Sequence, residues 1–255
     1  MTLGDGPTLD LTVVVPYFNP GDRVRETVEE LVRALSATGT SFEVIAVSDG
    51  STDGSERALA DLSSDLVRTV RLQHNCGKGE ALRVGFTMGQ GRFLGFIDGD
   101  GDLPPEQVAT LAAITRQTGR PAPDVVLGSK RHPTSHVVYP PLRRLYSWVW
   151  QQLVLALFGL HVSDTQTGLK LVRRDVLAEV LPRMLEKRFA FDLELLVVAS
   201  RLGYRRFVEV PVHIRQRFGS TVSPRAIAGM LADLFAIFYR LRFSGSYDRP
   251  RTERA

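Results

Sequence analysis

A chain of 255 residues, 44% hydrophobic and 24% charged, has the composition of an ordinary globular protein and can bury one sizeable core. Its formal net charge of +4 favours anionic ligands or an anionic membrane surface, but it is too small to argue for nucleic acid, and no nucleic-acid motif accompanies it. The single cysteine, Cys76, excludes an internal disulfide framework and suits a reducing compartment, while the acidic opening M-T-L-G-D-G-P-T-L-D lacks the apolar stretch of a signal peptide.

Residues 1–10 read as a flexible tail. Leu11–Val15 is a β-branched apolar run expected to be a buried strand. It ends in P-Y-F-N-P-G-D, where Asp22 is placed to cap a helix. That helix covers Val24–Leu35, with Val24, Val28, Leu31, Val32 and Leu35 on one face. Phe42–Val47 is the next strand, ending in S-D-G-S-T-D-G-S. Ala58 and Leu59 belong to a short helix, and Leu66–Leu72 form a third strand. The segment N-C-G-K-G opens a helix over Gly77–Gly89, and Phe93–Ile97 is a fourth strand. A helix over Pro104–Gln117 and a strand over Val125–Leu127, ending at G-S-K-R, complete the first half. This alternation predicts an α/β fold with a mainly parallel, doubly wound sheet. No G-x-G-x-x-G follows any strand, which disfavours a dinucleotide site.

Beyond residue 130 the character changes. Tyr139–Leu160 carries both tryptophans behind Arg143 and Arg144, and its apolar part is too short to span a bilayer. Two readings stand side by side: a helix lying in a membrane interface, and an ordinary core helix. D-T-Q-T-G-L-K-L-V-R-R-D reads as a loop feeding an edge strand. F-A-F-D-L-E-L-L-V-V-A-S-R-L-G is helical, and R-R-F-V-E-V-P-V is a strand. Ile227–Phe243 is a second apolar helix, and residues 244–255 are expected to be disordered.

Polar clusters follow four strand ends: Pro16–Asn19, Ser48–Asp53, Asn75–Gly79 and Asp98–Asp102. Parallel neighbours bring such loops to one sheet edge, where open α/β sheets bind ligands. The run D-G-D-G-D can be a simple turn, since glycine and aspartate dominate turns. It also mimics a calcium loop, but Leu103 and Ala109 occupy the positions that need glycine and glutamate, so that loop is rejected. Carboxylates this crowded repel one another unless a cation compensates, and Mg²⁺ or Mn²⁺ shared with a phosphate is the usual solution. Tyr17 or Phe18 suits stacking on a base, Asp49 suits a base N–H, and Lys78 with its flanking glycine backbone suits phosphate. Together these clusters suit a nucleoside diphosphate.

V-V-V-P-Y-F-N, V-S-D-G-S-T-D, N-C-G-K-G-E-A-L and F-I-D-G-D-G-D-L-P-P-E resemble the successive motifs of family 2 glycosyltransferases with the GT-A fold. D-T-Q-T-G-L-K-L and F-A-F-D-L-E-L-L are similar to the dolichyl- or polyprenyl-phosphate sugar synthases, closest to the dolichyl-phosphate glucose branch. The resemblance covers residues 11–243, and implies a nucleotide-sugar half, 11–130, and an acceptor and membrane-interface half, 131–243. It implies Asp98 and Asp100 as the D-x-D metal pair, with Asp102 an accessory. Pro16, Tyr17, Phe18, Asn19, Ser48, Asp49, Lys78 and Gly99 would serve the nucleotide. Lys130 and Arg131 would act beside the aspartates in catalysis. Arg131, Arg143, Arg144 and Lys170 are candidates for the acceptor phosphate, and Asp164, Gln166, Asp192 and Glu194 for the sugar and acceptor end. Asp192 and Glu194 read equally well as polar positions on an amphipathic helix. Two departures concern the base: Pro20 follows Asn19 where the family usually has glutamate, and Ser48 stands where it often has aspartate.

The implied reaction is an inverting transfer of a hexose, glucose first, from a UDP-sugar to a polyprenyl or dolichyl phosphate. A phosphate acceptor is already anionic and needs no general base. The chain would sit at the cytoplasmic face of the membrane, held there directly or through an integral membrane partner. Alternatives are a family 2 transferase with a glycan or other hydroxyl acceptor, which would need a base, and an inactive nucleotide-sugar-binding scaffold.

Overall fold

The computed structural model describes residues 3, 6–62, 64–117, 121–135, 141–188, 190–215 and 224–248. The first half alternates as expected: β1 (Leu9–Tyr17), α1 (Arg23–Ser36), β2 (Phe42–Ser48), β3 (Val67–Arg71), α2 (Lys78–Met88), β4 (Gly91–Ile97), α3 (Glu106–Thr115) and β5 (Val125–Ser129). Then come α4 (Pro141–Phe158), β6 (Leu169–Arg173), α5 (Arg174–Val180), α6 (Phe191–Arg201), β7 (Phe207–Pro211) and α7 (Pro224–Tyr239). The strands form one seven-stranded sheet in the order β3-β2-β1-β4-β6-β5-β7.

Alternation along each strand builds two cores. Leu11, Val13, Val15 and Tyr17 of β1 face the side that also holds Val24, Val28 and Leu31 of α1 and Val108 and Leu111 of α3. Val14, pointing the other way, joins Leu82 and Phe86 of α2 and much of α5 and α6. The sheet is therefore wound on both faces, and near-continuous apolar strands are what such burial requires. Each fully buried aliphatic side chain contributes roughly 1.5–3 kcal/mol of transfer free energy.

β6 departs from expectation. It is not an edge strand: it lies between β4 and β5, antiparallel to both. A lysine in its middle suggests an edge, yet Lys170 is fully buried. The reversal has a consequence for the ligand edge. The carboxyl ends of β1, β2, β4 and β5 lie along one side of the sheet, and an antiparallel β6 delivers its leading loop, Val162–Gly168, to that same side.

Three smaller expectations change. Asp22 makes no side-chain cap to α1, because its helical φ of −73° and ψ of −11° turn the carboxylate away from the first N–H groups. The amino-terminal tail ends early, since β1 starts at Leu9. Order also continues past residue 244, where Tyr247 is 1% exposed and donates its hydroxyl to Glu194 at 2.7 Å. Residues 249–255 lie outside the described residues.

Candidate active site

A cavity of about 560 Å³ opens at the carboxyl ends of β1, β2 and β4. Pro16, Tyr17, Phe18 and Asn19 line it from β1, Asp49 from β2, and Asp98, Gly99 and Asp100 from β4. Gly77 and Lys78 enter from the start of α2. The Phe18 ring is half exposed there, free to stack. Tyr17 is buried instead, and burial, helped by Glu56, pushes its phenol up to about 12. Asn19, at φ 51°, accepts the Thr52 N–H on its side-chain oxygen at 2.8 Å, tying the β1 and β2 loops together.

Asp49 does a similar task for the next loop. Its two carboxylate oxygens accept the N–H groups of Cys76 at 2.7 Å and Gly77 at 2.9 Å. Ser48 does not line the cavity. It is fully buried and donates to Glu56 at 2.7 Å, so its role is to shape the β2 loop from beneath.

The G-K-G loop is not an open phosphate cradle. Besides the two N–H groups held by Asp49, those of Gly79 and Glu80 donate to the Lys187 carbonyl at 2.8 and 3.3 Å. Gly77 has φ +98°, and a Cβ there would sit 2.4 Å from that carbonyl. Only glycine combines the left-handed conformation with such an approach. Lys78 is also engaged, at 2.7 Å from Asp98 and 3.0 Å from Asp192.

These contacts belong to a buried relay. Asp192 pairs in turn with Lys170 at 2.6 Å, and Lys170 donates to the Thr167 carbonyl at 2.7 Å. Both ammonium groups also face the Phe96 ring, 4.9 and 5.5 Å from its centroid. Lys170 is thus corrected: it is sealed under the site and cannot reach an acceptor phosphate. Asp192 likewise leaves the acceptor loop and becomes the bridge between the two lysines. Burial opposes the Asp192 charge, but Lys170 and Lys78 overcome it and hold the carboxyl below its ordinary value. Burial likewise opposes the Lys78 charge, yet Asp192 and then Asp98 hold that ammonium above its usual value. Burial keeps Lys170 below its usual value. Asp98 is pushed up by burial, against Lys78, with Asp192 and Asp100 adding to the push.

Asp98 and Asp100 line one cavity two residues apart, and Asp98 feels Asp100 as a like charge that a cation would offset. Asp100 is exposed in the cavity, with one oxygen accepting the Asp102 N–H at 3.0 Å. Among the described residues no group of three or more His, Cys, Asp or Glu is spaced to hold a metal. Two hard carboxylates with room for phosphate and water form the partial shell that Mg²⁺ and Mn²⁺ accept. The donor set fits such an ion, and Asp98 and Asp100 are the residues that would hold it.

A second cavity, about 450 Å³, lies among α4, α7 and the loop after α4. Trp150, Leu153, Val154, Ile227, Met230 and Leu231 give it apolar walls, and Lys130 and Arg131 supply positive charge. Asp164, its one acidic lining residue, is committed to the loop. It accepts the N–H groups of Lys130 and Gln166 at 3.0 Å each, that of Thr167 at 3.1 Å, and the Thr167 hydroxyl. Gln166 lines this cavity too.

One loop serves both cavities. Residues 162–166 line the second, while Gly168 accepts the Asp98 N–H at 3.0 Å and packs against its carboxylate. A Cβ on Gly168 would lie 1.8 Å from an Asp98 oxygen. Arg144 is exposed and lines neither cavity, and the Arg143 side chain lies outside the described residues. Glu194 is also removed from the site: it accepts the N–H groups of Leu185 and Glu186 at 2.9 and 2.7 Å, anchoring the segment before α6. Asn75, the first residue of the Asn75–Gly79 cluster, lines the first cavity, as do Arg23 and Arg188, to which no sequence motif assigns a role. Only the position of Arg188, just ahead of F-A-F-D-L-E-L-L, could have flagged it.

The sequence model described as Glycosyl transferase family 2 matches residues 12–181. A dolichyl-phosphate β-glucosyltransferase of Drosophila melanogaster is 31% identical, over 94% of this chain and 77% of the relative. One from Mus musculus is 30% identical, over 100% of this chain and 82% of the relative. Glucosyl-3-phosphoglycerate synthase from Mycobacterium tuberculosis, solved with Mn²⁺, UDP and phosphoglyceric acid, superposes with a TM-score of 0.67 at 20% identity. That superposition covers 96% of this chain and 81% of the other.

Proposed function

The chain belongs to glycosyl transferase family 2, with a GT-A fold, and from that premise we propose that it moves glucose from UDP-glucose to a polyprenyl phosphate such as dolichyl phosphate. The sugar and acceptor are those named for the relatives. The observation that carries this reading is the pairing of the two cavities through the 162–168 loop. A cavity with charged walls, holding Asp98 and Asp100, adjoins through Gly168 an apolar one holding Lys130 and Arg131. A nucleotide sugar fits the first, and an anionic head on an apolar tail fits the second. A hydroxyl acceptor would need a base, and both oxygens of Asp164 are engaged by hydrogen bonds from its own loop and from the Lys130 N–H.

Phe18 stacks on the base, and Asp98 and Asp100 hold the divalent ion, Mg²⁺ or Mn²⁺. When bound, that ion neutralises charge on the leaving diphosphate. Lys130 and Arg131 bring in the acceptor phosphate and screen its charge. A phosphate oxygen attacks the anomeric carbon as the bond from that carbon to the nucleoside diphosphate breaks, with inversion. The acceptor arrives deprotonated, so catalysis rests on positioning and charge. Residues 11–130 supply most of the donor cavity and 131–243 the acceptor cavity. Asp192 and Arg188 cross into the donor side. The protein works at the cytoplasmic face of a membrane, held by α4 and α7 or by an integral partner.

The test is incubation with dolichyl phosphate, Mn²⁺ or Mg²⁺, and a panel of nucleotide sugars, with mass detection of the lipid product. Glucosyl-phosphoryl-dolichol from UDP-glucose is expected, with turnover lost in Asp100→Ala at unchanged thermal stability. A product on a hydroxyl acceptor, or full activity in Asp100→Ala, would overturn the assignment.

A further inference from the structure

The two groups that sequence assigns to the donor phosphates are already occupied. The Lys78 ammonium bridges Asp98 and Asp192. The N–H groups of Cys76 and Gly77 are held by Asp49, and those of Gly79 and Glu80 by the Lys187 carbonyl. Formal charge makes the shortfall plain. Lys78 and Lys170 are cancelled by Asp98 and Asp192, and Asp100 adds a further negative charge. A divalent ion leaves this ensemble at +1, against a nucleoside diphosphate sugar carrying about two negative charges near neutral pH. One more cation is needed at the diphosphate, and two exposed arginines line the cavity, Arg23 at the start of α1 and Arg188 against the G-K-G loop.

Arg188 is in the place to supply it. It lines the donor cavity beside Gly77 and Lys78. Its stem lies along the loop, so that a Cβ on Gly77 would come within 3.0 Å of the Arg188 Cγ. Among the described residues no carboxylate stands within ion-pair distance of it, and Asp233 feels it only at longer range. The residue is exposed, so its guanidinium keeps its freedom to turn toward a ligand. Its backbone, by contrast, is fixed. The preceding carbonyl caps α2, and Leu185 and Glu186 are anchored on buried Glu194, itself held by Tyr247. A mobile guanidinium on a rigid mount, next to a glycine, is a design for a bidentate phosphate contact.

We infer that Arg188 is a direct ligand of the donor diphosphate, supplying the charge that Lys78 spends on Asp98 and Asp192. This rests on the nucleoside diphosphate reading of the same cavity.

Calorimetric titration of the full chain with UDP and with uridine, each in EDTA and in Mn²⁺, tests it. Arg188→Ala should lose about tenfold or more in UDP affinity under both conditions, the size expected for a charge-assisted contact. Uridine affinity should stay within twofold, and Arg188→Lys should recover part of the loss. Arg188→Gln, which keeps the stem against Gly77, should behave as the alanine variant. Wild-type affinity for UDP in Arg188→Ala and Arg188→Gln would overturn the inference while leaving the donor reading intact. An equal loss for uridine and UDP would also overturn it, since that marks a distorted pocket and not a lost phosphate contact. If the unmodified chain binds none of UDP, GDP and ADP, the donor reading fails and takes this one with it.

Discussion

Asp192 decides what Lys78 and Lys170 can do. Burying a lysine without a partner is costly, and Lys170 has no exposed surface at all. It is tolerated because Asp192 lies 2.6 Å away and the Thr167 carbonyl takes another of its protons. Removing one member of such a pair strands the other charge, at about 3–5 kcal/mol. Lys170→Met should therefore cost roughly 3 kcal/mol, the low end, because Lys78 still faces Asp192. Adding Asp192→Asn should restore part of that loss, since no charge is then stranded. Urea midpoints of the two single variants and the double variant measure this. Additive losses would mean that the two residues do not act as a pair. This relay was not legible in the sequence. Nothing local ties residue 170 to 192, and an isolated lysine in an apolar run reads as a surface residue. Asp98 and Asp100 were legible, because a turn-rich acidic motif after an apolar strand is a local pattern.

At the level of elements, the strand ends and the parallel run of the first half were legible, and the direction of β6 was not. Continuous apolar runs mark where β1, β2, β4 and β5 lie, and their alternation with helices makes them parallel. β6 follows a helix as a parallel strand would, so its reversal shows only in the pairing Phe93–Arg173 through Ile97–Leu169. That reversal brings Gly168 onto Asp98 and so couples the 162–168 loop to the proposed metal site. The contact is steric and therefore testable with one methyl group. No left-handed φ is involved at Gly168, so alanine there suffers only from lack of space. Its Cβ would displace the Asp98 carboxylate, at a strain of about 1–3 kcal/mol, and loosen the Lys78 contact. Gly168→Ala should leave the chain folded, with melting lowered by only a few degrees. It should weaken Mn²⁺ binding in the presence of UDP by tenfold or more. Mn²⁺ titration followed by electron paramagnetic resonance reads this directly, and unchanged affinity would show that Asp98 is not positioned by the 162–168 loop.

The whole molecule leaves an unusual amount of aromatic surface on two neighbouring helices. α4 has one face in the core and one exposed apolar face. Val154 is buried and Trp150, Leu153 and Leu157 are partly so, while Leu145, Tyr146, Trp148 and Val149 face outward. α7 and the turn after it repeat this, with Leu234 and Ile237 buried and Phe235, Tyr239 and Phe243 at 52, 61 and 72% exposure. An edge-to-face contact of Phe158 with Phe238, 6.2 Å between ring centroids, joins the two helices, and Phe238 meets Phe243 of the following turn in the same way. No helix among the described residues is long and apolar enough to cross a membrane. A contiguous apolar patch is a place for another surface, and the proposed acceptor cavity is lined by these same helices. A lipid tail can enter there without leaving the bilayer only if the patch lies in the interface. Arg144 and Arg242, both exposed, would then sit at the level of anionic head groups. In flotation with anionic vesicles, the unmodified chain should rise with the lipid, and more of it at low salt than at high salt. Phe235→Asp with Tyr239→Asp should stay at the bottom of the gradient while binding UDP as before, because neither residue lines the donor cavity. Flotation unaffected by this pair would move the membrane contact away from α7. Failure of the unmodified chain to float at low salt would leave recruitment to an integral membrane partner.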